Sequence, residues 1–360
     1  GVAIGMGGPG ALFWMWICGI MASAFKYAEI VLGIKYRIVD ENGEYTGGPM
    51  YYLRKITPWL GSLYAAIFVL ELIPSVANQA ASVTDIGTVA GIPKAVSAVV
   101  IAVIILAVVW GGIRRIADVM NAVVPFMSVA YFVGVLVIVA MNITKLPEVV
   151  SLIFKCAFTG HAATGGFAGS TLAITIRWGL ARGVGSNDAG NGQSAIAHAS
   201  AITDHPARQG MWGVFEVVLD TLVICTLTGL AILITDAWKV TDSSMASTLA
   251  AVAFQSVMGN MGAIFVNIIT ALFCITTIVV IIYYGQRLAI YLFGKNIGRF
   301  APVFYTIASV LGAFGSVDVL INFLDIMYAG MIIPNVIGLF ILRKEIKEQT
   351  DDFFLHERFK

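Results

Sequence analysis

The sequence has little charge. Asp, Glu, Lys and Arg make up 12% of its 360 residues and histidine occurs four times, whereas 59% of the residues are hydrophobic and the mean hydropathy is +0.88. This composition excludes a soluble domain, whose surface needs far more charge. The formal net charge of +1 provides no basic excess that would suit nucleic acid. The solvent of this chain is therefore lipid.

Enzyme and cofactor motifs are also absent. No G-x-S-x-G, H-E-x-x-H or Gly-Lys-Ser/Thr sequence occurs, which argues against a serine hydrolase, a zinc protease and a phosphate-binding loop. The four cysteines stand alone, without C-x-x-C spacing, and are predicted to be free thiols packed like small hydrophobes: Cys18, Cys156, Cys225 and Cys274. We therefore expect a protein that is not an enzyme and has no metal or redox cofactor.

What the sequence does contain is a series of long apolar runs. A run of about 18 apolar residues can cross the hydrocarbon core as a helix. The predicted spans are Leu12–Leu32, Leu63–Val89, Ala95–Val109, Asn121–Ala140, Phe167–Ala181, Trp212–Ile234, Ala263–Leu292, Pro302–Gly315 and Val319–Leu342. The runs predict an all-α polytopic membrane protein, with residues 1–342 as a single transmembrane domain and 343–360 as a polar tail.

The placement of basic residues predicts the orientation. If the first full span runs from outside to inside, only four of the 22 basic residues fall in external loops: Lys94, Lys145, Lys155 and Lys239. The other basic loop residues are then cytoplasmic, as the positive-inside rule requires. The C-terminal tail is therefore predicted to be cytoplasmic, and Leu146–Phe158 is predicted to be a surface helix on the external side.

The most informative stretch is Arg177–Gln193, which is dense in glycine and small polar residues. Glycine costs about 1 kcal/mol per site in a helix relative to alanine, so we expect the helix to unwind here, between half-helices at Phe167–Ala181 and Gly192–Ile202. Discontinuous helices provide transporter sites for ions and zwitterions, and such backbone survives in a membrane only inside protein or along a cavity. The alternative is a plain cytoplasmic loop.

Other polar groups lie deep within the predicted spans. Gln79 and Ser82 are three residues apart and share a helix face. Thr276 and Thr277 form a hydroxyl pair that suits sodium, although threonine in a membrane helix also hydrogen-bonds to its own backbone.

Ionisable residues lie within the spans as well. Lys26 and Glu29 are three apart, and Glu216 and Asp220 are four apart. Charges at this depth are costly, so we expect these residues either to form structural ion pairs or to take part directly in ion coupling.

Several motifs resemble those of the alanine or glycine:cation symporter family. They are GGPGALFWMW at Gly7–Trp16, KYAE at Lys26–Glu29, KYR at Lys35–Arg37, GGPMYY at Gly47–Tyr52, RWG at Arg177–Gly179 and TDHPARQG at Thr203–Gly210. The resemblance covers nearly the whole chain in order. It implies the leucine-transporter-type fold of two inverted five-helix repeats, in the inner (plasma) membrane of a prokaryote.

The resemblance also implies sodium-driven, sometimes proton-driven, uptake of alanine or glycine. We expect the substrate to contact a set of residues around the break and the Gln79 helix: Gln79, Ser82, Trp178, Gly183, Gly185, Ser186 and Asn187. Thr276 and Thr277 are the expected sodium ligands. The alternative is a channel or a non-transporting membrane subunit or sensor on the same scaffold.

The sequence departs from the family pattern at three places. The G-T-G-N motif of the first core helix is expected upstream of Gly1, so that helix is expected to be truncated in this chain. Where the family reads F-S-N-E-A-G-L-G-S-A-P, this chain has Gly185 in place of phenylalanine and Asn191 in place of leucine. Ala81 replaces the asparagine of a Q-x-N-S motif. A larger and more polar pocket is expected.

Overall fold

The computed structural model describes residues 1–41, 43–159, 169–240, 248–315 and 317–356. Its helices, in chain order, are α1 (Val2–Gly7), α2 (Ala11–Lys35), α3 (Pro49–Ile56), α4 (Pro58–Val89), α5 (Lys94–Val109), α6 (Gly112–Met141), α7 (Leu146–Thr159), α8 (Leu172–Asn187), α9 (Gln193–Ala199), α10 (Pro206–Val217), α11 (Cys225–Ile234), α12 (Ala237–Val240), α13 (Leu249–Phe293), α14 (Lys295–Gly298), α15 (Ala301–Gly312), α16 (Val317–Ile341) and α17 (Arg343–His356). A π-helical segment, Val218–Ile224, joins α10 to α11, and a 3-10 turn, Ile143–Lys145, precedes α7.

Six of the described helical stretches are long and apolar enough to cross a membrane. They are Ala11–Lys35, Pro58–Val89, Arg114–Met141, Pro206–Ile234, Leu249–Phe293 and Phe323–Ile341. The shorter apolar helix α5 matches the predicted span Ala95–Val109 closely. The prediction of an all-α polytopic membrane protein is confirmed at this level.

Two predicted spans differ from the observed helices. Phe167, the predicted start of one span, lies outside the described residues, and α8 runs from Leu172 past the predicted end at Ala181. Helix α15 ends at Gly312 and has 12 residues, about 18 Å at 1.5 Å per residue, which is short of a hydrocarbon core of roughly 30 Å. Helix α13 has a kink at Gly259, where φ is 64°.

The stretch between α2 and α4 is folded rather than an open loop. Strands β1 (Ile38–Val39) and β2 (Tyr45–Thr46) pair antiparallel, with Ile38 opposite Thr46. Arg287 on α13 bonds two acidic side chains of this hairpin, at 2.8 Å to Asp40 and 2.5 Å to Glu44. The ion pairs tie the hairpin to α13.

The chain forms two compact units, each with its own apolar core. The first comprises Gly1–Ala24, Ser128–Ala189 and Trp212–Ile269. Its fully buried side chains include Leu12, Ile153, Ile232, Trp238 and Phe254.

The second unit comprises Phe25–Met127, Gly190–Met211 and Thr270–Lys360. Its core is rich in buried aromatic rings: Tyr52, Tyr64, Phe68, Tyr284 and Tyr305. Helices α3, α5, α15 and α16 pack against α4 in this unit. The polar tail continues it as helix α17.

Candidate functional site

The predicted helix break is present, but it lies further along the chain than we expected. Helix α8 continues through Gly183 and Gly185 to Asn187, and α9 begins at Gln193. The prediction that the first half-helix ends at Ala181 is therefore wrong; the unwound residues are 188–192. The helix continues because Gly183 packs closely on α2: an added Cβ would lie 2.8 Å from the Cys18 Sγ. This tertiary contact overrides the low helix propensity of glycine.

Three of the five unwound residues adopt left-handed backbone conformations. φ is 52° at Asp188, 87° at Gly190 and 85° at Gly192. Gly192 has a second reason to be glycine, since an added Cβ would lie 2.3 Å from the Pro49 Cγ and 2.7 Å from the Tyr64 hydroxyl. Gly190, Asn191 and Gly192 are buried. The break is therefore enclosed in protein, the environment that exposed peptide groups require in a membrane protein.

In the first unit, polar side chains at the C-terminal end of α8 form a hydrogen-bonded cluster. The Ser186 hydroxyl donates to Asp220 Oδ2 at 2.6 Å, and the Thr221 hydroxyl donates to the same oxygen at 2.9 Å. The Asn187 amide donates to the Thr221 hydroxyl at 3.3 Å, while its oxygen accepts from the Ala189 N–H at 3.1 Å. The cluster thus fixes the last turn of α8.

Asp220 and Thr221 lie on the π-helical segment Val218–Ile224. A π-helical turn has an extra residue and is frequent at functional sites. Sequence reasoning singled out Asp220 as an intramembrane acid but not Thr221. A local widening of a helix leaves no pattern in a short apolar run, so only coordinates could find this turn.

The remaining predicted residues of α8 have different surroundings. Trp178 is half-buried, with the Arg182 guanidinium 5.4 Å and the Arg177 guanidinium 5.9 Å from its ring centroid. Gly183 packs against Cys18, so no space remains beside it for a substrate atom. Gly185 is open: an added Cβ would meet nothing within 4 Å. The structure thus leaves room beside Gly185, where the family pattern has phenylalanine.

Gln79 and Ser82 lie on α4 in the second unit, and both are half-buried. The Ser82 hydroxyl donates to the Asn78 carbonyl at 3.0 Å, within its own helix. Ala81 beside them is buried. The two predicted residues share one helix, as their spacing required.

Thr276 and Thr277 lie on α13, also in the second unit. Thr276 donates to the Leu272 and Phe273 carbonyls at 2.9 Å, and Thr277 donates to the Phe273 carbonyl at 2.8 Å. Thr276 is buried and Thr277 is exposed. Each hydroxyl uses its hydrogen within its own helix, which is the alternative arrangement that the sequence left open for these threonines.

A second polar cluster lies in the second unit around Asn335 on α16. The Asn335 amide nitrogen donates to Glu29 Oε1 at 2.5 Å and to the Gly190 carbonyl at 3.0 Å. The Asn335 amide oxygen accepts from the Tyr52 hydroxyl at 2.5 Å. Glu29, Tyr52 and Asn335 are fully buried.

Two further bonds of the second unit reach the same part of the chain. The Tyr64 hydroxyl donates to the Asn191 carbonyl, and Lys26 donates to the Ser194 hydroxyl in the first turn of α9. The sequence indicated Lys26 and Glu29 as a pair, but Tyr64 and Asn335 gave no signal, since a single polar residue in an apolar span has many possible partners.

These groups suit a small zwitterion or a hard cation rather than a transition metal. In the part of the chain that the structure describes, no group of three or more His, Cys, Asp or Glu residues is placed to hold a metal ion. The break offers hydroxyl, amide and peptide groups instead. Sodium prefers such oxygen ligands, and the carbonyl end of a helix such as α8 attracts positive charge.

Comparisons with known proteins agree with this chemistry. A family model described as the sodium:alanine symporter family matches residues 1–359. An uncharacterized transporter, YflA, of Bacillus subtilis is 42% identical over 99% of this chain and 77% of its own length. The sodium/alanine symporter AgcS of Methanococcus maripaludis is 38% identical over 97% of this chain and 78% of its own. A probable sodium/glutamine symporter, GlnT, of B. subtilis is 32% identical over 98% and 73%, respectively.

Proposed function

The chain belongs to the sodium:alanine symporter family, and from this premise we propose that it couples the entry of sodium, or of protons, to the uptake of a small neutral amino acid such as alanine or glycine. The observation that carries the proposal is the buried helix break between α8 and α9, with left-handed residues at Asp188, Gly190 and Gly192. Peptide groups released from a helix inside a membrane protein recognise zwitterions and ions. We also propose the leucine-transporter-type inverted repeat for the fold.

The amino acid is proposed to bind at the C-terminal end of α8. Ser186 and Asn187 lie in this last turn, and the open space beside Gly185 leaves room for a side chain. Trp178, the third predicted residue of this helix, lies more than two turns earlier on α8. The carbonyl end of α8 is the negative end of its dipole, which suits the ammonium group of the substrate. In the second unit, Gln79 and Ser82 stay proposed substrate contacts on α4. In the first unit, Gly183 is proposed to support α8 through its packing on Cys18.

Thr276 and Thr277 are the proposed sodium ligands. Their hydroxyl hydrogens point to helix carbonyls, which orients the oxygen lone pairs away from the backbone. Replacing Thr276 with valine removes that oxygen while keeping the shape of the side chain. Thr276→Val is expected to raise the sodium concentration for half-maximal uptake about tenfold, with the half-saturating amino-acid concentration at high sodium changed less.

The decisive experiment is uptake of labelled alanine and glycine by proteoliposomes that contain the full-length protein, with an inward gradient of sodium, of protons, or of neither. Gradient-dependent accumulation of either amino acid supports the proposal. Gly185→Phe in the same assay is expected to reduce uptake of larger neutral amino acids more than that of glycine. Absence of uptake of both amino acids under every gradient would contradict the proposed symport. An ion conductance that does not saturate would favour a channel instead.

A further inference from the structure

Two neighbouring carbonyl groups of the break are already occupied by protein side chains. The Gly190 carbonyl accepts from Asn335, and the Asn191 carbonyl accepts from Tyr64. We propose that Asn335 and Tyr64 are positioning residues of transport, which hold these carbonyls and thereby fix the shape of the break to which the amino acid binds. This inference rests on the proposed function, because it assigns the break to substrate binding.

The orientation of the Asn335 amide is determined by its surroundings. Its nitrogen faces Glu29 Oε1 and the Gly190 carbonyl, and its oxygen faces the Tyr52 hydroxyl. The Gly190 carbonyl can only accept a hydrogen bond. Rotating the amide by half a turn would place its oxygen against the Gly190 carbonyl oxygen, and neither of these two atoms can donate. The side chain therefore has one favourable orientation, and that orientation bonds the Gly190 carbonyl.

Glu29 has a role in this arrangement that simple ion pairing does not explain. A buried carboxylate in a membrane span is costly, and here it accepts from Asn335 instead of facing solvent. Lys26, one helical turn earlier, donates to Ser194 at the start of α9. Helix α2 thus holds the break through Asn335 and the following helix through Lys26.

Tyr64 acts at the next carbonyl along the chain. It is fully buried on α4, and its hydroxyl fits against Gly192, where an added Cβ would lie 2.7 Å away. The hydroxyl therefore contacts two successive residues of the break, Asn191 and Gly192. In a buried site a hydrogen bond of this kind cannot be replaced by water without rearrangement.

The chain contains a matched control for Tyr64. Tyr305 is also almost fully buried in the second unit, and its hydroxyl also donates to a backbone carbonyl, that of Val69 at 3.0 Å. Val69 lies within α4, five positions after Tyr64, and is not one of the break residues 188–192. Tyr64→Phe and Tyr305→Phe therefore remove the same chemical group and the same type of bond, and only the first should affect the break.

The experiment compares both variants with the wild-type full-length protein in two measurements. The first is hydrogen–deuterium exchange of the peptide that covers residues 188–192. The second is the half-saturating concentration and maximal rate of amino-acid uptake. We expect Tyr64→Phe to speed exchange in this peptide and to raise the half-saturating concentration about three- to tenfold, the range expected from one hydrogen bond. Tyr305→Phe should lower thermal stability but leave both the exchange of residues 188–192 and the uptake kinetics unchanged.

A second pair tests the other carbonyl. Asn335→Leu removes the donor to Gly190, and Thr306→Val removes an equally buried hydrogen bond that stays within α15, from Thr306 to the Pro302 carbonyl. If exchange at residues 188–192 is unchanged in both Tyr64→Phe and Asn335→Leu, the inference is overturned. The same holds if faster exchange leaves the half-saturating concentration unchanged. If the wild type transports no amino acid, the proposed function fails, whereas the exchange result still decides whether these residues hold the break.

Discussion

The end of α8 and the break that follows it are held in different ways. Before the break, the side chain of Ser186 bonds Asp220, so the contact depends on the chemical identity of the residue in α8. Within the break, the backbone carbonyls of Gly190 and Asn191 are bonded by side chains from other helices, so the contact depends on the partners. A backbone carbonyl is present whatever the side chain.

This difference explains where the sequence can depart from the family pattern. The Asn191 carbonyl would accept from Tyr64 if leucine stood at position 191, so substitution there leaves the main contact in place. The Asn191 side chain adds one local bond, accepting from the Gln193 N–H at 3.0 Å. Substitution of Ser186 has a different consequence, because the contact with Asp220 is made by the Ser186 hydroxyl and is lost with it.

The strongest test of the comparison is Asn335→Asp. The change keeps the size of the side chain but replaces the donating amide with a carboxyl group that faces Glu29 and the Gly190 carbonyl. Buried like charges or unpaired acceptors cost several kcal/mol, so we expect uptake per folded protein to fall about 100-fold or more. Uptake within fivefold of wild type would show that the Gly190 carbonyl within the break needs no donor.

The side before the break is tested by a double-mutant cycle. Ser186→Ala and Asp220→Ala each remove one partner of the same bond, so each should raise the half-saturating amino-acid concentration about tenfold, and the double variant should be little worse than either. Thr235→Val, which removes a bond within its own helix in the same unit, serves as the control. Additive effects would mean that the two residues act independently.

A smaller effect is expected from Asn191→Leu. Because the carbonyl is retained, the half-saturating concentration should change less than about threefold, while stability should fall by about 1 kcal/mol through loss of the bond to the Gln193 N–H. Uptake kinetics and thermal denaturation of the purified protein measure the two quantities. A loss as large as that of Ser186→Ala would contradict the distinction between backbone and side-chain contacts.

The smallest effect is expected away from the break, at Glu345 on α17. Burial opposes ionisation of this carboxyl, but bonds from Lys35, at 2.7 Å, and from the Tyr36 hydroxyl outweigh it and lower the pKa of Glu345 below its ordinary value of 4.5. A lowered pKa adds stability above the ordinary value, and this stability is lost as the pH falls below it.

Glu345→Gln should therefore reduce stability at pH 7 by at most about 1 kcal/mol, since the pair is partly exposed and screened. Denaturation of both proteins across pH 3 to 7 measures the difference, which should shrink on acidification. Uptake kinetics at pH 7 should match those of the wild type. A change in half-saturating concentration as large as that of Ser186→Ala would extend the functional region to α17.

Much of the fold was predictable because a membrane imposes a simple rule on sequence. A spanning helix needs a long apolar run, so α2, α4 and the long apolar part of α6 could be placed from hydropathy alone. The existence of a break was predictable from glycine density. Its position was not, because the packing of Gly183 on Cys18 keeps α8 helical beyond the residues whose propensities favour unwinding.

The sequence by itself determined the membrane class, the approximate spans, the family and the stretch in which a helix must break, since these follow from composition and from motifs that are local in the chain. Only the tertiary structure decided which side chains hold that break. Glu29 and Asn335 are far apart in sequence, and a hydrogen bond between them depends on how their helices pack. Local patterns carry no information on that packing, because any polar residue in an apolar span has many possible partners and a fold selects among them.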